Sequence, residues 1–209
     1  MSTRICLIRH GETNWNRTSR FQGQSDPPLN DTGRTQAEAM ARQAAAYDFS
    51  ALYSSDLQRA VTTAEALQRH TALPLRRLPE LRERHFGIFQ GLQKDAAARQ
   101  FPEVYARYKK RDLSCDFGHG ESLAAFSRRV MEVFAWLARQ HPQQRIAVIS
   151  HAGVLDIIYR HALGKTLSEP RNRRITHCTL NWISGDGRHW AIEHWEETDS
   201  HFRQSGAQR

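Results

Sequence analysis

Long hydrophobic runs are missing from this sequence. The longest purely apolar stretches span only a few residues, against the roughly 20 that a membrane-spanning helix needs, and the mean hydropathy of −0.68 agrees. Met-Ser-Thr-Arg is followed by just four apolar residues before Arg9, so no signal-peptide pattern opens the chain. Cysteine is scarce: Cys6, Cys115 and Cys178 are an odd set without C-x-x-C spacing. That speaks for isolated reduced thiols in a cytoplasmic protein rather than a disulfide framework or a zinc site. Eleven histidines are present, yet no H-E-x-x-H, no zinc-type Cys/His spacing and no EF-hand loop accompany them. Metal catalysis is therefore not expected. Zinc-finger spacing, an RNP-type aromatic segment and a basic-zipper heptad are absent too, leaving no specific nucleic-acid signal.

What is present is a 209-residue chain without repeats, low-complexity blocks or linkers, long enough to bury a substantial core. The expectation is one domain over residues 1–200, followed by a disordered tail at 201–209. The net charge is +8 and nearly all the cations are arginine. Such a balance suits anionic partners, among them phosphorylated metabolites. The short clusters Arg107–Arg111 and Arg171–Arg174 have the ordinary reading of solvated surface.

Two apolar runs, Ile5–Ile8 and Ile146–Ile149, are continuous rather than alternating, as in strands buried on both faces. Helical spacing joins Leu57, Ala60, Val61, Ala64 and Leu67, and again Leu123, Phe126, Val130, Val133, Phe134 and Leu137. Ala37, Met40, Ala41 and Ala44 mark a third face, and Ala152–Leu163 is apolar almost all round. Short strands fit Ala51–Tyr53 and Leu75–Leu78, and Gly185-Asp186-Gly187 reads as the turn of a C-terminal hairpin. This alternation predicts an α/β sandwich, mostly parallel, with an antiparallel element at one edge. Thr18–Leu29 and Arg111–Gly120 read as long functional loops.

Four constellations fall where the strands of such a sheet would end. Arg9-His10-Gly11 follows the first apolar run and offers a nitrogen nucleophile, a fixed positive charge and close backbone approach. Ser54-Ser55-Asp56 can cap the helix whose first turn holds Arg59. Ser150-His151-Ala152-Gly153 repeats the first design, and the free N–H groups at its helix start suit an anion. Glu83, followed by aromatic and glycine residues, is a loop carboxylate suited to carrying a proton. Taken singly, each has a plain structural reading: a hydrogen-bonded loop histidine, a solvated arginine, a surface Glu paired with Arg82 or Arg84. Two histidines at the ends of strands in one sheet are harder to assign to structure alone.

In this order the motifs R-H-G-E-T-x-W-N, S-D-L-x-R-A-x-x-T-A, E-R-H-F-G, G-E-S and S-H-A-G resemble the histidine phosphatase superfamily, in its phosphoglycerate-mutase-like branch. The resemblance runs from about Arg4 to the C-terminal hairpin. It implies a three-layer α/β/α sandwich and His10 as the nucleophile that becomes phosphohistidine. It implies that Arg9, Arg59 and His151 complete the phosphate pocket and that Glu83 donates and accepts the proton. Asn16, Gln22 and Gly23 match positions that contact phosphate or substrate in relatives, and Ala152 and Gly153 would offer backbone amides. Relatives often carry Gly at position 152; the change to Ala leaves a backbone contact intact. No cofactor is implied.

The implied reaction is hydrolysis of a small-molecule phosphomonoester. The alternative is a phosphoglycerate mutase, primed by 2,3-bisphosphoglycerate. For the mutase, Glu83–Gly87 and Gln90–Lys94 resemble true mutases, with Arg84 a candidate substrate contact, and Lys94, Lys110 and Arg111 would supply carboxylate-binding cations. Phe21–Leu29 resembles the phosphatase branch, and the stretch from Lys94 to Gly120 is shorter than the mutase cover, which should admit water. A non-catalytic phosphate-binding module fits less well, because binding alone needs neither nucleophile nor proton donor. Self-association into a homodimer is left open.

Overall fold

The computed structural model describes residues 2–171 and 173–196. The tail expected at 201–209 lies outside them. Six strands form one sheet in the order β3-β2-β4-β1-β5-β6. These are β1 (Thr3–Arg9), β2 (Ala51–Ser54), β3 (Leu75–Arg77), β4 (Arg145–Ser150), β5 (Asn181–Gly185) and β6 (Trp190–His194). β1 to β4 are parallel, whereas β5 runs antiparallel to both β1 and β6. The antiparallel edge is the hairpin that Gly185-Asp186-Gly187 predicts.

The continuous apolar runs are continuous because β1 and β4 lie at the centre, covered on both sides. Ile5, Leu7, Ile146 and Val148 pack with the apolar faces of α6 (Leu123–Gln140) and α7 (Ala152–Ala162). Their sequence neighbours Cys6, Ile8, Ala147 and Ile149 point the other way, against α2 (Asp31–Ala44) and α3 (Gln58–Thr71). Period-two alternation thus feeds two cores from one strand, which makes the three-layer α/β/α sandwich. Cys6 is buried in the second core, where desolvation pushes its thiol well above the ordinary value. Among the described residues no helix is long and apolar enough to cross a membrane.

A satellite core of Phe21, Phe89, Ala97, Cys115 and Phe117 sits apart from both. It carries two helices that periodicity did not reveal, α4 (Lys94–Gln100) and α5 (Pro102–Lys109). Each is at most eight residues long, too short to show a stripe. The short α1 (Asn14–Arg17) is started by a capping box between Thr13 and Asn16.

Gly11 and Gly33 let the loop after β1 rest on the first turn of α2. A Cβ on Gly11 would meet the Gly33 carbonyl oxygen at 2.4 Å, and one on Gly33 would meet that of Glu12 at 2.1 Å. The close approach that Gly11 provides is thus to the protein's own backbone.

Candidate active site

Parallel order puts the carboxyl ends of β1, β2 and β4 side by side, with β4 between the other two. Crevices at such ends are where open α/β sheets bind ligands. His10 leaves β1 and His151 leaves β4, and their ring centroids lie 5.1 Å apart. The His10 N–H donates to the Ser150 carbonyl at 2.9 Å, so the two strand ends are tied together at the site. The His10 ring is fixed by its Nδ1–H, which donates to the Gly11 carbonyl at 2.7 Å. A carbonyl only accepts, so Nδ1 holds the proton and Nε2 keeps its lone pair.

The positive charge comes from two arginines. Arg59 is 0% exposed and its Nη1 and Nη2 donate to the carbonyls of Ser25 and Gly23. Arg9 donates through Nη1 to the Ile175 carbonyl at 2.6 Å. Burial lowers both guanidinium groups to about 10, and the Glu83 carboxylate works against that fall. Arg9 Nε, Arg59 Nε and both ring nitrogens of His151 are buried without a hydrogen-bond partner among the described residues. Each such group costs about 1–3 kcal/mol. Donors left unpaired beside two cations are what an anionic oxygen ligand would satisfy.

Burial, then the charge of Arg59, holds His10 well below the ordinary histidine value of 6.5. His151 is lowered in the same way, by burial first and then by Arg59 and Arg9. A third imidazole escaped the sequence reading. His177 Nδ1–H donates to the His10 carbonyl at 2.7 Å, and the two rings are 5.5 Å apart. Burial and Arg9 bring His177 down to about 3. The available signal was topological: β5 is antiparallel, so the residues just before it arrive beside the end of β1, where the Cys178 N–H meets the Arg9 carbonyl.

These three neutral imidazoles make stability depend on pH. The unfolded chain takes up protons on them near 6.5 while the folded chain does not. Their contribution is complete above about pH 6.5 and is lost as pH falls, by at most about 1.4 kcal/mol per pH unit for each histidine still neutral. Calorimetry should show Tm falling between about pH 7 and pH 5, less steeply in His177→Asn. A flat Tm over that range contradicts the neutral cluster.

Glu83 stands opposite, half-buried, with both carboxylate oxygens on backbone amides. Oε1 accepts from the Arg84 N–H at 2.8 Å and Oε2 from the Gly153 N–H at 2.9 Å. The amide of Gly153 at the start of α7, expected to face phosphate, thus holds the carboxylate. A Cβ on Gly153 would lie 2.0 Å from Glu83 Oε1. Gly153→Ala is therefore expected to displace the carboxylate rather than the backbone, since the obstructed atom is the end of a flexible side chain. A displacement of about 1 Å can cost roughly a hundredfold in kcat. Tm should hold or rise, because alanine favours a helix over glycine by about 1 kcal/mol. Steady-state kinetics and a melting curve check both halves.

The remaining expected contacts divide. Gly23, with φ +54°, is held against Arg59 by its carbonyl. Gln22 Oε1 accepts from Thr13 Oγ1, and Asn16 Oδ1 accepts from the Thr13 N–H, so both side chains brace the loop after His10. Arg84 spends Nε and Nη2 on the carbonyls of Glu121 and Cys115 and stacks 4.5 Å over Phe117. It pins the satellite core. Arg111 and Ala152 line a cavity of about 170 Å³ that begins at Glu83 and Gly153. Lys94 and Lys110 are exposed on α4 and after α5 and do not line this cavity.

The Ser54–Asp56 cluster does not cap α3 by side chain. Asp26 reaches in from the Phe21–Leu29 loop to accept the Gln58 N–H at 2.7 Å, while Asp56 pairs with Arg82. No group of three or more His, Cys, Asp or Glu among the described residues could hold a metal ion.

Known proteins resemble this chain over most of its length. The chain is 34% identical over 208 residues to a metal-independent phosphoserine phosphatase of Arabidopsis thaliana, covering 98% of this chain and 85% of that protein. It is 34% identical over 206 residues to phosphoglycerate mutase-like protein 4 of the same plant, covering 97% and 88%. A mycobacterial glucosyl-3-phosphoglycerate phosphatase solved with VO3 superposes with a TM-score of 0.83 at 27% identity, covering 93% of this chain and 99% of that one. The model of the histidine phosphatase superfamily (branch 1) matches residues 5–198. With the paired strand-end histidines, the two arginines beside them and a match over nearly its whole length, the chain belongs to the histidine phosphatase superfamily, branch 1.

Proposed function

We propose that this protein hydrolyses a small phosphomonoester through a phosphohistidine at His10. The observation that carries the reading is the His10 Nδ1–H bond to the Gly11 carbonyl, which leaves a neutral Nε2 lone pair in the field of Arg59 and Arg9. Nε2 attacks phosphorus, the N–P bond forms and the P–O bond to the leaving group breaks. Arg9, Arg59 and His151 meet the phosphoryl oxygens with donors the fold leaves unpaired. Glu83, as a carboxylic acid, gives its proton to the departing oxygen. As a carboxylate it then takes a proton from water, whose oxygen attacks phosphorus. Inorganic phosphate leaves, and His10 and protonated Glu83 are restored. The cycle calls on no metal or organic cofactor.

Transfer to water rather than to a second organic acceptor is favoured by the cover. It consists of the end of α5 and the loop after it, whose Tyr108 and Arg111 line the cavity with Glu83, and Glu83 is only half-buried. The two outcomes separate in one assay. With 3-phosphoglycerate and 2,3-bisphosphoglycerate supplied together, release of inorganic phosphate is expected to outpace formation of 2-phosphoglycerate. Rapid isomerisation with little phosphate released would overturn the hydrolase reading in favour of the mutase.

A further inference from the structure

Gly120-Glu121-Ser122 stands outside the phosphate pocket, yet it is built against the segment that carries Glu83. A Cβ on Gly120 would meet the His85 carbonyl oxygen at 2.5 Å and the Gly87 nitrogen at 2.7 Å, so the two segments touch only because position 120 has no side chain. The Glu121 N–H donates to the His85 carbonyl at 2.9 Å, and the Glu121 carbonyl accepts from Arg84 Nε at 2.8 Å. Ser122 starts α6, its Oγ accepting from the Ala125 N–H at 3.1 Å. About two turns on, the helix returns Arg129 to the Glu121 carboxylate, which it grips through Nε at 2.9 Å and Nη2 at 2.7 Å.

Arg129 spends its remaining donors on backbone. Nη1 donates to the carbonyls of Glu80 at 2.7 Å and Arg82 at 3.0 Å, and Nη2 reaches that of Glu83 at 3.4 Å. The Leu81 carbonyl between them accepts from Ser150 Oγ at 2.8 Å. Residues 79–81 make a single 3-10 turn and 82–86 belong to no helix or strand, so these carbonyls find side chains where regular structure would offer N–H groups. Only a planar fork with several fixed donors can hold a carboxylate and three carbonyls at once.

The consequence falls on Glu83. Its carboxylate is fixed by the amides of Arg84 and Gly153, and its own carbonyl is held by Arg129 and, at 3.3 Å, by Gln24 Nε2. Arg129 does not line the cavity beside Glu83, so it acts there only through the loop.

We infer that Arg129, oriented by Glu121, is a positioning residue for the proton carrier: it sets where the Glu83 carboxyl sits by clamping the backbone of residues 80–83 from behind. The inference rests on the phosphatase reading, in which Glu83 protonates the leaving oxygen and then takes a proton from water. A clamp needed only for folding would lower the amount of active enzyme. A clamp that positions Glu83 must slow the step that needs Glu83 and spare the one that does not.

The test follows 4-nitrophenolate release by stopped flow in the wild type, Arg129→Lys and Glu121→Gln, each also made in a Glu83→Gln background. Lysine keeps the charge but has one ammonium in place of the fork. In Arg129→Lys the first turnover should stay within about threefold of the wild type, because nitrophenolate leaves without a proton. Steady-state turnover should fall by about tenfold to a hundredfold, as a misplaced catalytic group costs, so that a burst of about one nitrophenolate per site appears. Glu121→Gln should show the same pattern more weakly, and it reports even where Arg129→Lys fails to fold. Added to Glu83→Gln, neither change should slow turnover by more than about twofold further, since residues acting as one unit are not additive. Arg128→Lys, on the exposed neighbour, is the control and should alter neither phase. Burst and steady state falling together, both staying at the wild-type rate, or a further large loss in the Glu83→Gln background would overturn the inference and leave the phosphatase reading standing. No turnover in the wild type, or wild-type turnover in Glu83→Gln alone, would overturn that reading as well.

Discussion

His10→Ala is expected to lose turnover on every phosphomonoester, by at least about 10⁴-fold in kcat, as removal of a covalent nucleophile does. The loss should be the same for good and poor leaving groups, because neither can be transferred without an acceptor nitrogen. Binding should survive. Arg9, Arg59 and His151 remain, and Arg59 is held by Ser25 and Gly23 rather than by His10. Inorganic phosphate or vanadate is therefore expected to bind the variant within about tenfold of the wild type, since the donors that P–O oxygens meet are untouched. A circular dichroism spectrum and a titration separate this outcome from unfolding. Substantial turnover in the variant would remove His10 from the chemistry.

Glu83→Gln should produce a different pattern, one that depends on the leaving group. An alkyl phosphate needs the departing alkoxide protonated, and loss of a general acid costs about 10²- to 10⁴-fold. 4-Nitrophenyl phosphate needs no such proton, so its first step should be spared. The second step still lacks the base that activates water. The variant should then release a burst of about one nitrophenolate per site and stall as phosphoenzyme. Stability should fall modestly. One end of the new amide is a donor facing a backbone N–H, at Arg84 or at Gly153, and an unmatched polar pair costs about 1–3 kcal/mol. Equal slowing of alkyl and aryl esters with no burst would place the proton donor elsewhere.

Much of this site was legible because strand ends leave marks in a sequence. A continuous apolar run followed by His and then small residues occurs twice, at Ile5–Gly11 and Ile146–Gly153, and parallel pairing of β1 with β4 brings the two ends together. Arg59 was placed by its position in the first turn of α3. The antiparallel hairpin was announced by its turn residues. What stayed hidden depends on partners far apart in the chain. His177 reaches the site only through the reversed direction of β5, and Asp26 caps a helix 32 residues away. α4 and α5 were missed because their apolar side chains serve a small aromatic core of their own. Lys94 and Lys110 have the right charge for an anion subsite, but they stand exposed on α4 and after α5, and neither lines the cavity beside Glu83.

The whole account turns on one atom, Nε2 of His10, left free by the bond its partner nitrogen makes to Gly11. Rapid acid-free quenching of the enzyme during turnover of a labelled phosphomonoester, followed by peptide mapping, tests it directly. One phosphoryl group per chain, stable in alkali, labile in acid and located on His10, is the expected result. Turnover that leaves no phosphoprotein even in Glu83→Gln, or a label on any other residue, would contradict it.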